Sequence, residues 1–141
     1  MTSASTTILL VGSDAALLEG LSQSLAALGY TPKVAVGMHE ARENAAIDPP
    51  LVVVVSSALA AEAGADVLRV PLAAGGALVL FHDAGRQPVM LSPTLQRAVL
   101  ANLALPLERH RLVALVQHVL QRSRTTGRRR LADTPPEQFA P

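Results

Sequence analysis

The sequence predicts an α/β domain in which a parallel five-stranded sheet is covered by helices on both faces. Three observations carry that expectation. Short apolar runs of strand length alternate with helix-period segments up to about Arg124, the alternation expected of parallel strands joined by crossover helices. The run Leu51–Val55 contains no polar residue, as a strand buried on both sides should. Half of the residues are hydrophobic, yet the aromatics amount to two Phe and one Tyr. The core must therefore be Ala, Val and Leu, small side chains that let helices pack closely on a sheet.

Each element has its own signal. Thr7–Val11 is a β-rich run ending in Gly12-Ser13-Asp14, a turn and helix start. Leu18, Leu21, Leu25 and Leu28 then recur at helical spacing, and Gly29 supplies the stop. Lys33–Gly37 reads as the second strand and Met38–Ile47 as a more polar helix closed by Asp48-Pro49-Pro50. After Leu51–Val55, Ser56–Ala61 reads as a loop and Glu62–Val70 as a short helix ended by Pro71. Gly75-Gly76 opens the strand Ala77–Phe81, which runs into His82-Asp83 and the loop Gly85–Pro88. Ser92-Pro93 has the form of an N-cap followed by proline at the first helical position. Asn102–Leu105 is the last strand, and the final helix starts at Pro106 with the stripe Leu112, Leu115, Val116 and Val119.

Right-handed crossovers leave few ways to arrange five such units, and the order 2-1-3-4-5 is favoured. The predicted fold class is therefore α/β, flavodoxin-like, a (βα)5 three-layer sandwich. At 141 residues the chain is sized for one domain. That domain is expected over residues 1–124. Residues 125–141 carry Arg128-Arg129-Arg130 and Pro135-Pro136 without a packing pattern, so a disordered tail is expected there.

Composition narrows the function classes. The net charge is +1 and eleven of the twelve basic residues are Arg, concentrated from Arg109 onward. There is no Cys, hence no disulfide, thiolate nucleophile or Cys-ligated zinc. The scarcity of aromatics argues against a stacking platform for single-stranded nucleic acid. No apolar run approaches the roughly 20 residues of a membrane span, and the polar Met1–Thr7 segment lacks the features of a secretory signal. A cytoplasmic protein without membrane attachment is expected.

Four segments together carry a family resemblance. Ile8–Val11 followed by Gly12-Ser13-Asp14, Pro50–Val55 followed by Ser56, Gly64 eight residues further on, and Ala104-Leu105-Pro106-Leu107 resemble the receiver domain of bacterial response regulators. The likeness spans residues 7–124. It implies an acidic pair for Mg²⁺ after the first strand, a phosphoacceptor Asp after the third, a switch Ser or Thr after the fourth and a Lys after the fifth. In this chain those positions hold Gly12 and Ser13, Ser56 (or Val55 if the register slips by one), His82 and Leu105. Phosphoryl transfer to Asp needs a carboxylate nucleophile and a hard oxygen site for Mg²⁺, so the chain resembles a degenerate receiver without the phosphorylation residues.

Bland roles compete with sharp ones at the remaining polar positions. Asp14 is expected to cap the first helix rather than to ligate a metal. Ser56-Ser57 can finish a strand and turn, and with Ser13 it is also the best small-anion site. His82-Asp83 has no third partner for a triad or metal site. His39, His110 and His118 lack metal-site spacing, and a serine hydrolase is disfavoured because Ser56 is not in a GxSxG elbow. No catalytic residue, metal or cofactor is expected.

The expected function is regulation by protein–protein contact, to a partner or as a homodimer. The resemblance implies the last two helices and strands as the contact surface, with Arg109, Arg111 and Arg122 as its basic positions. Nucleic acid is expected at most weakly, through Arg128–Arg130, since no helix-turn-helix follows. A small-anion or metabolite sensor in the crevice is the alternative.

Overall fold

A computed structural model of the chain describes residues 6–83 and 90–133, with side chains through Arg124. Strands β1 (Thr7–Val11), β2 (Thr31–Ala35), β3 (Val52–Ser56), β4 (Ala77–Asp83) and β5 (Ala101–Leu105) form one sheet. All pairs are parallel and the order is β2-β1-β3-β4-β5, as predicted. The helices are α1 (Ala15–Ala27), α2 (Met38–Ile47), α3 (Ser57–Ala63), α4 (Pro93–Ala98) and α5 (Arg109–Asp133), with a 3₁₀ segment at Gly64–Arg69.

Because side chains alternate along a strand, the sheet divides the core in two. Ile8, Leu10, Val52, Val54 and Val79 face one side, under Leu18, Leu21 and Leu25 of α1 and Leu112, Val116 and Val119 of α5. Leu9, Val11, Val53, Val55 and Leu80 face the other, under Ala41 and Ala45 of α2, Ala60 of α3, Val67 and Leu95 of α4. The first side is roofed by long helices with leucine and valine ridges. The second is roofed by short helices whose alanines sit close to the strands.

Local chemistry sets the ends of the elements. Asp14 caps α1, its Oδ1 accepting from the Leu17 N–H at 3.1 Å. At the other end Gly29 has φ +95°, its N–H reaching the Ala26 carbonyl while Tyr30 N–H reaches Leu25. These are the paired bonds of a Schellman stop, where a left-handed residue is needed. Ser92 caps α4 by accepting from Leu95 N–H at 3.2 Å.

Several boundaries differ from expectation. β2 begins at Thr31, paired with Thr7, and ends at Ala35, two residues earlier at each end than Lys33–Gly37. Pro32 lies inside it, which an edge strand tolerates because proline lacks only one ladder donor. The expected loop Ser56–Ala61 is largely α3, since alanine-rich Ser57–Ala63 has high helix propensity. The expected helix Glu62–Val70 is split by Gly64 at φ +58° into the end of α3 and the 3₁₀ segment.

The last helix differs in length from expectation. α5 continues past Arg124 to Asp133, so the segment expected to be a disordered tail begins as helix. Arginine favours helix even where no apolar stripe remains. The loop predicted at Gly85–Pro88 and the last part of the tail, 134–141, lie outside the described residues.

Candidate functional site

In an open α/β sheet the helices follow the strands, so the carboxyl ends of the strands are where loops and helix starts converge. A cleft of about 540 Å³ lies there. Ser13 and Asp14 border it after β1, Ser56 and Ser57 after β3, His82 and Asp83 at the end of β4, and Leu105 and Arg109 around the start of α5. The predicted chemical positions Ser13, Ser56, His82 and Leu105 are thus brought together. Arg111 and Arg122 are not part of it.

Gly12 lies beneath the cleft, buried. A Cβ at this position would meet Phe81 Cζ at 3.1 Å and the Leu18 methyls at 3.7 Å. Glycine is held here by the ring of Phe81, not by a left-handed backbone, since Gly12 is not among the positive-φ residues. Phe81 is 5 % exposed and is paired with Ser56 across β3–β4. The volume in which an acidic side chain would leave β1 is filled by an aromatic edge.

The polar groups near the floor share one acceptor. Asn102 Oδ1 lies 3.0 Å from His82 Nδ1, which donates in the tautomer protonated there. The same oxygen accepts from Ser57 Oγ at 3.4 Å. Ser57 is buried at 1 % exposure, so this bond relieves the cost of placing a hydroxyl in the core. Helix α3 and strands β4 and β5 are thereby tied together. Asn102 had no role in the sequence reading, although a lone amide inside Ala101–Leu105 was a visible signal.

The arginines expected to form one basic face divide. Arg109 borders the cleft. Arg111 is bound to Glu108 Oε2, while Glu108 Oε1 accepts from the Ala104 N–H at 2.8 Å. These bonds, the backbone donor first and the guanidinium second, hold the Glu108 carboxyl below its ordinary range. Arg122 is exposed near the far end of the packed part of α5. Arg111 and Arg122 share a helix register, only about 20° apart after three turns.

The chemistry this arrangement supports is limited. Among the described residues, no group of three or more His, Cys, Asp or Glu side chains is placed to hold a metal ion. Asp14 commits an oxygen to the α1 cap, and His82 commits Nδ1 to Asn102. Among the described residues no helix is long and apolar enough to cross a membrane.

No protein-family profile matches the chain, and no curated protein does. Solved structures do match. The N-terminal domain of a response regulator/sensory box/GGDEF three-domain protein from Carboxydothermus hydrogenoformans aligns with TM-score 0.66 at 13 % identity, over 82 % of this chain and 94 % of that one. A response regulator receiver domain protein from Methanospirillum hungatei JF-1 gives 0.63 at 16 % identity, over 88 % and 99 %. A receiver domain protein from Clostridium thermocellum gives 0.61 at 12 %, over 85 % and 98 %. At such identities the likeness speaks to architecture, and the architecture of this chain is the receiver fold.

Proposed function

We propose that this chain is a receiver-like signalling domain that acts without phosphorylation, through protein–protein contact, and is not an enzyme. The observation that carries the reading is the occupation of the strand ends: Phe81 against Gly12, a serine at 56, and leucine at 105. A serine hydroxyl is a weak nucleophile unless a base activates it, and a leucine cannot neutralise a phosphoryl group. The test is intact mass after incubation with acetyl phosphate and Mg²⁺. An unchanged mass is expected, and a stoichiometric phosphoryl adduct would overturn the reading.

The partner surface in this reading is the side built by α4, β5 and α5, including Ser92–Leu100 and Leu107–Gln121. β5 is an edge strand. In the flanking segments Met90 and Leu107 are 92 % and 75 % exposed, and Arg97 and Arg111 are exposed. Apolar residues set among arginines are the composition of an interface.

The crevice sensor is supported by a different observation. The cleft volume of about 540 Å³ suits a small molecule, and Ser13, Ser56, His82 and Arg109 offer converging polar groups. The two readings separate by mutation. Leu107→Glu with Arg111→Glu should weaken self-association or partner capture, while Ser56→Ala with Arg109→Ala should not. The reverse pattern favours the sensor.

A further inference from the structure

Charge is segregated along this chain. Residues 1–108 carry nine carboxylates against five basic side chains, whereas residues 109–132 carry seven arginines and no carboxylate. Much of the acidic charge is answered locally. Asp48 pairs with Lys33, Asp66 with Arg42 and Arg69, and Glu108 with Arg111. Among the described residues no carboxylate pairs with Arg122 or Arg124.

Position adds to composition. Ser123 Oγ donates to the Ala74 carbonyl at 2.7 Å, anchoring α5 at the amino end of the sheet. From Arg124 the helix backbone continues to Asp133, about 15 Å at 1.5 Å per residue. Arg124, Arg128, Arg129 and Arg130 lie in this stretch with Arg122 just before it, and Leu131 and Ala132 are the only apolar residues between Gln121 and Asp133.

We propose that the carboxyl-terminal arm of α5 binds duplex DNA through its phosphates, without reading sequence. The inference stands apart from the signalling proposal and from the crevice. Every basic residue in the arm is arginine, whose planar fork matches phosphate oxygens in pairs. A helix about 10–12 Å across fits the DNA major groove of about 12 Å, while the deep, narrow groove of duplex RNA does not admit it. A membrane-surface helix needs a broad apolar face, which this stretch lacks.

The experiment is fluorescence anisotropy of the full chain with a labelled 20-base-pair DNA duplex across a salt series. Five arginine–phosphate contacts at about 0.9 counterions each imply roughly a 500-fold loss of affinity from 50 to 200 mM salt. The variant Arg128→Gln/Arg129→Gln/Arg130→Gln should bind more weakly and lose only about 12-fold over the same range, with unchanged melting. Two unrelated duplex sequences should bind alike. Affinity unaltered in the triple variant overturns the proposal, as does equal binding of duplex RNA. It is also overturned if anionic phosphatidylserine vesicles are bound and DNA is not, or if sedimentation shows salt-sensitive self-association without DNA binding. The acetyl phosphate experiment reads the crevice, so its outcome is independent of these.

Discussion

The two ends of the sheet are built on different principles. At the amino end, backbone approaches backbone. Ala73 N–H bonds to the Pro50 carbonyl, Gly76 N–H to Ala73, and Ala77 N–H to Leu51. Asp48 Oδ2 there accepts from Thr7 Oγ1 at 3.0 Å and Lys33 Nζ at 3.1 Å, joining the end of α2 to β1 and β2. At the carboxyl end side chains add cross-links between elements, Asn102 Oδ1 accepting from Ser57 Oγ and lying 3.0 Å from His82 Nδ1. The amino end therefore constrains sequence through geometry, while the carboxyl end can change its chemistry as long as volume is conserved. Gly12, Ser56, His82 and Leu105 all lie at this more permissive end.

The contrast predicts the largest effect at Gly76. A Cβ there would stand 2.7 Å from the Leu51 carbonyl oxygen and 2.8 Å from that of Ala73, atoms that cannot move without breaking the β3–β4 junction. Gly76→Val should destabilise by about 3 kcal/mol or more, in the range of severe overpacking. Urea unfolding measures it, and a cost under about 1 kcal/mol would show that this end is more pliable than described.

Gly12→Asp should come next, at about 1–3 kcal/mol, because the obstacle is the edge of a side chain. The variant should melt lower and still take no phosphoryl group from acetyl phosphate. Should it gain Mg²⁺ affinity at unchanged stability, Phe81 would not be the barrier.

Asp48→Ala should have the smallest effect, about 1 kcal/mol or less, since the Lys33 and Asp48 side chains are exposed enough for water to screen the ion pair. Its pH dependence has a definite sign. Hydrogen bonds from Lys33 and then Thr7 lower the Asp48 carboxyl below its ordinary 3.8. A depressed folded-state value contributes stability above the unfolded value, and that contribution disappears as pH falls through the folded one. The gap between wild type and variant should thus be full near neutrality and close below pH 3.8. A gap that persisted at lower pH would point to packing rather than charge.

Most of the architecture was legible because it rests on local periodicity. The unbroken Leu51–Val55 run, the α1 leucines and the α5 stripe each identify a buried face without knowledge of the rest. The site was less legible because its contacts cross between elements. That Asn102 Oδ1 serves both Ser57 and His82 depends on the β4–β5 register, in which His82 lies opposite Ala104. Arg109 turned out to border the cleft while Arg111 is held by Glu108, a division set by where α5 begins. The extension of α5 escaped notice because hydrophobic pattern marks a packed helix, and this part has none.

The contact between Gly12 and Phe81 also couples the two positions in any redesign. It makes the route through sequence space depend on the order of steps. Introducing a carboxylate at 12 first meets the ring, and trimming the ring first leaves a hole that costs about 3–5 kcal/mol in a buried site. Both single-step intermediates are less stable than the starting protein, although the double change can be tolerated when the two are coupled. The two positions behave as a unit: a carboxylate side chain at 12 requires a change at 81 as well.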